Sequence, residues 1–206
     1  MGLKYAFRQF GKSPGFTLVA VLTLALGIGA TTAIFSFVNS WLIKPTSFPN
    51  QERLVVLFET DKRTGSRSAI AAGDWADWRA KATIFDELAA AGFGDYNLTG
   101  VEEPQKLVGY RISANFFRTL GATPVMGREF TEAEMQTGQD RVAILSHGLW
   151  RDRFSSDTSV LGRSIMLDGT ATTIVGVMPE HFQYIPMGLG QLFTPLSLPP
   201  DQKVTR

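Results

Sequence analysis

The strongest hydrophobic pattern in the chain is a long uncharged stretch near its N-terminus. No Asp, Glu, Lys or Arg occurs between Pro14 and Ile43. As an α-helix, a stretch of this length would extend about 43 Å, which is more than the hydrocarbon thickness of about 30 Å in a bilayer. We therefore predict a transmembrane helix over residues 14–43. A cleaved signal peptide is the alternative, although its apolar region spans only about 7–15 residues.

Beyond this stretch, residues 44–206 alternate between short apolar runs and polar segments. The apolar runs that predict β-strands are residues 53–59, 106–112, 142–145, 164–167 and 172–177, and we expect 53–59 to be largely buried. The runs that predict helices are 73–82, 116–120, a short turn after Thr131, and 147–154. Because these elements interleave without a regular βαβ repeat, the pattern predicts one mixed α+β domain after the membrane helix.

Several polar residues lie where helices and turns begin. Ser113 and Ser146 precede predicted helices and are expected to act as N-caps. Thr131 and Glu134 have the spacing of a capping box. The pair Asp168-Gly169 separates two strand-like runs and is a strong signal for a β-hairpin, whose loop length the sequence leaves open.

Two tryptophans, Trp75 and Trp78, lie three residues apart in the predicted helix 73–82. This spacing places both on one helix face, and such a face is more often part of a core than a ligand site. We therefore predict that they are buried. Stacking on a sugar is the alternative.

Charge is distributed unevenly along the chain. The net charge is only +1, and Lys4, Arg8 and Lys12 all precede the apolar stretch. Basic residues flank a membrane span on its cytoplasmic side, so we predict a cytoplasmic segment over 1–13 and an extracytoplasmic domain over 44–206. The spacing of the three basic residues favours a short amphipathic helix at the interface, although a basic flank without a defined helix remains an alternative.

Small residues recur inside the predicted span at Ala25, Gly29 and Ala33. Small residues four apart allow another helix to approach closely, so we predict that this row packs against a partner helix. The alternative is that these residues only fill the span.

Composition and motifs argue against several kinds of functional site. The chain has no cysteine, which excludes thiolate zinc sites and cysteine nucleophiles. The domain has no basic stripe, so a nucleic-acid partner is not expected. No G-x-x-x-x-G-K-[ST] motif occurs, so ATP must be bound by another polypeptide if it is used. We expect no cofactor and no metal.

Candidate catalytic residues are few and badly spaced. Ser146 and His147 are adjacent in sequence, so their side chains normally point apart, and helix capping explains Ser146 better than nucleophilic catalysis. His181 is the only other histidine. Some acidic residues could in principle supply a general acid and a general base. They lie in predicted loops and helix starts, where solvated charge is the simpler interpretation. These residues are Glu102, Glu103, Glu129, Glu132 and Glu134. We do not expect an enzyme.

Several phrases, taken together and in this order, resemble one protein family. They are KYAFRQFGKSPGFTLVAVLTLALGIGATTAIFS, ERLVVLFE, DWADWR, NLTG, ISANFFRTLG, GREFTEAE, RVAILSHGLWRDRF, VLGRSIMLDG and TIVGVMPEHF. The chain resembles the permease subunits of MacB/FtsX-type ABC transporters, in particular the ADOP group, from Met1 to about Leu196.

The resemblance implies a first transmembrane helix followed by a MacB-like periplasmic core domain in a bacterial inner membrane. It also implies a separate ABC ATPase, further permease helices or a second permease copy, and a periplasmic adaptor or cargo. Such permeases transmit ATP-driven helix movement to the extracytoplasmic domain. Permeases of this kind have further helices after the domain, so the chain looks like the front part of a longer permease.

Two other functions remain open at this point. One is a membrane-anchored extracytoplasmic binding protein without a transport role, using Trp75, Trp78 or Trp150. The other is an anchored hydrolase, which would require Ser146, His147 or the acidic residues to converge in a cleft.

Overall fold

The computed structural model describes residues 14–38, 48–49, 51–68, 70, 72–100, 103–182 and 190–197. It divides into two compact units, residues 1–45 and residues 46–206.

In the described part of the first unit, residues 14–38 form one helix, α1, from Pro14 to Val38. It is long and apolar enough to cross a membrane by length and composition. The hydroxyl groups of Thr23 and Thr31 donate hydrogen bonds to the carbonyl oxygens of Val19 and Gly27, one turn earlier. This satisfies polar atoms that lipid could not hydrogen-bond. The helix predicted from the uncharged stretch is therefore present as far as Val38, and its predicted end at Ile43 lies outside the described residues.

The second unit is a mixed α+β domain, as the pattern predicted. Its helices are α2 (Ala72–Lys81), α3 (Phe116–Thr119) and α4 (His147–Phe154), with short 3-10 helices at Gln51–Arg53, Glu132–Met135 and Thr158–Val160. Its strands are β1 (Glu59–Thr60), β2 (Arg67–Ser68), β3 (Ala91–Thr99), β4 (Gln105–Ile112), β5 (Met126–Gly127), β6 (Val142–Leu145), β7 (Ser164–Leu167), β8 (Thr170–Val177) and β9 (Leu192–Pro195).

Six of these strands form a circuit, in which each strand pairs with the next and the last strand pairs with the first. Its order is β8, β6, β9, β4, β3, β7 and back to β8, with the short β5 on the far half of β8. The pairs β4–β9 and β6–β8 are parallel, and the other pairs of the circuit are antiparallel. Only two residues of β3, Leu98 and Thr99, pair with β7. The circuit is therefore closed at one end of β3 and open at the other.

Two apolar clusters lie on opposite faces of these strands. In β9, Leu192 belongs to the first cluster and Phe193 to the second. Successive side chains of a strand point to opposite faces, so the two clusters cannot merge. Helix α4 contributes Leu149 and Phe154 to the first cluster, and α3 contributes Phe116 and Phe117 to the second. One helix therefore covers each face.

Most of the predicted local signals are confirmed. The Ser146 side chain accepts a hydrogen bond of 3.1 Å from the backbone N–H of Leu149, which caps α4. The backbone N–H of Thr131 donates to the Glu134 carboxylate over 2.8 Å, as expected for a capping box. The hairpin loop has two residues, Asp168 and Gly169, with φ angles of 49° and 77°. Both values suit the type I′ turn that this pair favours.

Three predictions from the pattern are wrong. Residues 53–59 are not a buried strand: Val55 is 66% exposed, and only Glu59 and Thr60 pair, with β2. An apolar run does not determine whether a partner strand lies beside it. Ser113 does not cap α3. It is buried and links two chain segments, since its Oγ accepts from the N–H of Ala90 at 3.0 Å and donates to Asn115 Oδ1 at 2.8 Å.

The third wrong prediction concerns the tryptophans of α2. Trp78 is 42% exposed, Trp75 is half-buried, and neither belongs to the two clusters. The guanidinium group of Arg79 lies 5.6 Å from the centre of the Trp75 ring. Helix α2 therefore does not present a buried aromatic face, and Arg79 links it to the rest of the domain through an ion pair with Glu132.

Candidate functional site

The small-residue row of α1 is exposed along its length. Ala25, Gly29 and Ala33 are all exposed, and a Cβ atom added at Gly29 would meet no other atom within 4 Å. Lys4, Arg8 and Lys12, the predicted basic flank, lie outside the described residues. Every residue from Val21 to Ser36 is likewise exposed, so the packing of this row against a partner helix stays a prediction.

The candidate catalytic residues that the structure describes, which exclude Glu102, do not converge. Ser146 is committed to capping α4, and the His147 ring packs edge-on against Trp150 with 5.3 Å between ring centres. His181 is exposed. Among the described residues, no group of three or more acidic, histidine or cysteine side chains could hold a metal ion.

Two of the acidic residues after β5, Glu132 and Glu134, form ion pairs with arginines. Arg128 donates two hydrogen bonds to the Glu134 carboxylate, at 3.0 and 2.6 Å. Burial acts to raise the pKa of Glu134, but the bonds from Arg128 and from the Thr131 N–H outweigh it, and this pKa lies below its ordinary value. Glu132 instead pairs with Arg79 of α2. Glu132 and Glu134 thus bind different arginines and do not form an acid–base pair.

A cleft of about 480 Å³ lies where the strand circuit is open. It is lined by the first half of β3, by Arg111 of β4 and by the β7–β8 turn: Phe93, Gly94, Asp95, Tyr96, Arg111 and Asp168. Sequence reasoning did not identify these residues as a site. No sequence motif marks them, because they come from two strands and a turn that only the fold brings together.

The Tyr96 side chain forms one wall of this cleft. Its hydroxyl group lies 2.7 Å from the Thr194 hydroxyl on β9. Burial raises the pKa of Tyr96 above its ordinary value, with the hydrogen bond to Thr194 acting in the opposite direction. The phenol is thus neutral at physiological pH, and it lines the cleft as an uncharged hydrogen-bonding group. It does not provide a catalytic base.

The charged groups of the cleft differ in their partners. Asp95 pairs with Lys106 over 2.9 Å, and Asp168 accepts hydrogen bonds from the backbone and side chain of Asn97 at 2.9 and 2.7 Å. The Arg111 guanidinium donates to the backbone oxygen of Phe93 at 3.1 Å and forms no ion pair with any residue that the structure describes. Arg111 is therefore the one charge lining the cleft that lacks a charged or side-chain partner within this part of the chain.

Comparison with known proteins identifies the family. The sequence profile of the MacB-like periplasmic core domain matches residues 17–204, which include most of α1 and the domain. No functionally curated protein matches the chain.

Solved structures share the fold. The extracellular domain of the ABC-type transporter YknZ from Gram-positive bacteria superposes with a TM-score of 0.53 at 18% identity, over 68% of this chain and 71% of that one. The periplasmic region of MacB from Actinobacillus actinomycetemcomitans gives a TM-score of 0.54 at 16% identity, over 68% and 63%. At these identities the likeness establishes the fold alone. Together with the profile match, the apolar helix and the α+β domain lead to one conclusion: the chain belongs to the MacB-like periplasmic core domain family of ABC-type transporter permeases, as a membrane-anchored member with one N-terminal apolar helix in its described part.

Proposed function

We propose that this chain is the N-terminal part of a permease component of a MacB/FtsX-type ABC transporter. It couples ATP hydrolysis by a separate ATPase subunit to export of an extracytoplasmic substrate or to mechanotransmission. The observation that carries this proposal is the order of two features in one chain. An apolar helix, Pro14–Val38, leads into a domain of the MacB-like periplasmic core family, and the family match extends across both.

The sequence supports a partner ATPase. No Walker motif occurs in the 206 residues, and this motif is what forms the glycine-rich phosphate cradle of P-loop ATPases. ATP-driven movement must therefore reach the domain through α1 and through helices that pack against it. These are other helices of the permease or a second copy, and an adaptor or cargo would meet the domain outside the membrane.

The orientation that this function requires is a cytoplasmic Met1 and an extracytoplasmic domain in a bacterial inner membrane. It is supported by Lys4, Arg8 and Lys12, which precede the apolar stretch, because basic residues accumulate on the cytoplasmic side of a span. We assign 1–13 to the cytoplasm, 14–43 to the membrane and 44–206 to the outside. Alkaline phosphatase fused after Arg206 should be active. Inactivity there, with a fluorescent cytoplasmic reporter active at the same position, would reverse the orientation and remove the function built on it.

The coupling is tested through the small-residue row of α1. Gly29→Leu places a bulky side chain on the face where another helix would approach. Gly27→Leu is the matched control, because Gly27 lies about 200° away around the helix and also has no neighbour within 4 Å. Both changes make the span more hydrophobic by the same amount, so both variants should insert.

The measurement is co-purification from detergent with the ABC ATPase and permease segments encoded beside this chain. Gly29→Leu should recover several-fold less ATPase than the wild type, and Gly27→Leu should recover a normal amount. Equal recovery with both variants would mean that the small-residue row does not contact a partner helix. Failure of the wild type to recover any ATPase would contradict the coupling itself.

A membrane-anchored binding protein without a transport role is the second candidate. It is favoured by the exposure of Trp78, which leaves an indole ring available for stacking on a sugar. Titrating the full chain with a panel of cell-envelope glycans, while following tryptophan fluorescence, tests this function. Saturable quenching that Trp78→Ala removes would support it, and an unchanged signal would leave transport as the better proposal.

A further inference from the structure

Strand β3 has one edge that is paired along its length and one that is largely unpaired. In its ladder with β4, Gly94 faces Gly109 and Tyr96 faces Leu107. The Ser113 N–H donates to Ala90 O at 3.0 Å, so the even-numbered residues of this strand direct their backbone groups toward β4. Backbone groups alternate in direction along an antiparallel strand. Those of Phe93, Asp95 and Asn97 therefore point away from β4, toward the open end of the circuit.

The β7–β8 turn provides hydrogen-bond partners for the backbone groups of Asn97. Asn97 donates its N–H to Asp168 Oδ1 at 2.9 Å, and its carbonyl oxygen accepts from the Asp168 N–H at 3.0 Å. The chain then turns into β8 at Gly169, and β7 does not extend further along β3.

Beyond that point the edge has few partners. Arg111 donates to the Phe93 carbonyl oxygen. Within the described part of the chain, no hydrogen bond reaches the N–H of Phe93 or either backbone group of Asp95. Three main-chain groups thus remain available at the spacing of a β-ladder, next to the cleft.

The face of β3 next to this edge is open at Gly92. Gly92 has no side chain, and a Cβ added there would meet no atom within 4 Å. A glycine in a strand often marks a site where another backbone approaches closely. Main-chain donors and acceptors in ladder register are complementary to one kind of ligand, which is an extended polypeptide.

We propose that the free edge of β3 from Ala91 to Asp95 is a docking site for an extended segment of a partner polypeptide, which adds to the sheet as a strand and places a carboxylate on Arg111. The charge follows from the cleft itself, since Asp95 and Asp168 already have partners and Arg111 has no counter-ion among the described residues. The inference goes beyond the proposed function, because strand addition here requires no ATPase.

The test separates the backbone N–H from the side chain at one position. Asp95→Pro and Asp95→Ala both remove the ion pair with Lys106, but only proline removes the N–H that faces the cleft. Gly94, which precedes it, is already in a strand, where a residue before proline is tolerated. Because the Asp95 N–H makes no bond to β4, the two variants should have similar melting temperatures.

The probe is a displayed library of random heptapeptides with a fixed central Glu, selected against the full chain in nanodiscs. Enriched peptides should bind wild type and Asp95→Ala alike, and at least tenfold more weakly to Asp95→Pro. Bound peptide should slow hydrogen exchange at the Phe93 and Asp95 amides. Arg111→Gln, or a central Gln in the peptide, should weaken binding several-fold; this provides a second test if Asp95→Pro fails to fold.

Three results would overturn the proposal. One is that no peptide is enriched on wild type relative to Asp95→Pro, or, if that variant fails to fold, relative to Arg111→Gln. Another is equal binding to wild type and Arg111→Gln. The third is a dimer of the full chain that Asp95→Pro abolishes, which would make a second copy the occupant. None of these outcomes alters the ATPase recovery measured with Gly29→Leu, so failure here and failure of the proposed coupling are distinguishable.

Discussion

The hydroxyl group of Tyr96 on β3 lies 2.7 Å from the hydroxyl group of Thr194 on β9, although β4 runs between these two strands. The ring reaches across because β4 has a glycine, Gly109, beneath it. A Cβ atom at Gly109 would lie 2.9 Å from the Tyr96 ring and 2.6 Å from the backbone oxygen of Leu192. The strand circuit thus depends on a position where no side chain fits.

We expect Gly109→Ala to destabilise the domain by about 1–3 kcal/mol, because the added methyl group overpacks a closed site. Gly92→Ala is the matched control. It lies on the neighbouring strand, and its Cβ would meet no atom within 4 Å. Urea denaturation of the full chain in detergent, followed by circular dichroism, measures both. Equal midpoints for the two variants would contradict the packing described here.

The turn residue Asp168 combines a strained backbone with two side-chain hydrogen bonds. Its φ is 49°, and its carboxylate accepts from Asn97 at 2.9 and 2.7 Å. Asp168→Ala should cost about 2 kcal/mol, since it loses both bonds and keeps an unfavourable φ. Asp168→Gly should cost less because glycine adopts this φ freely. If both variants unfold at the same urea concentration, backbone strain contributes nothing at this turn.

The Glu134 carboxylate should make stability depend on pH. Its pKa lies below the ordinary value of 4.5 when the chain is folded, so the unfolded chain takes up a proton first as pH falls. The carboxylate therefore stabilises the fold above about pH 4.5, and this contribution is lost as pH falls through the lowered pKa. Glu134→Gln lacks it at every pH. The difference in unfolding free energy between wild type and variant, measured from pH 7 to about pH 3, should shrink toward low pH. A constant difference would rule out this linkage.

Truncating an aromatic side chain should destabilise the domain more in the core than in α2. Phe117 is 1% exposed, and its ring lies 5.1 Å from that of Phe193, so Phe117→Ala should cost about 3–5 kcal/mol. Trp78 is 42% exposed, and Trp78→Ala should cost less than about 1 kcal/mol. Thermal unfolding of both variants gives the comparison. A loss at Trp78 as large as that at Phe117 would restore the buried interpretation suggested by its spacing.

Some elements were predictable because their signals are local. The cap at Ser146 needs only the residues of its own helix turn, and the Asp168-Gly169 hairpin needs only the two strands beside it. The uncharged stretch predicted α1, which has the length and composition of a helix that can cross a bilayer.

The cleft was not predictable in this way. Strand β3 contains Gly92, Gly94, Asp95 and Asn97, residue types that are unfavourable in strands, and it forms because β4 pairs with it along eight residues. The burial of a tryptophan and the partners of an apolar run such as 53–59 also depend on what lies beside them in space.

The sequence by itself determined the membrane helix, the α+β class and most local caps and turns, since each is encoded within a few neighbouring residues. Only the tertiary structure decided that six strands close into a circuit with an open end, where Tyr96, Arg111 and Asp168 meet. These residues lie far apart in the chain, and the contacts that join them form only when strand pairing and burial of the two apolar clusters offset the loss of chain entropy.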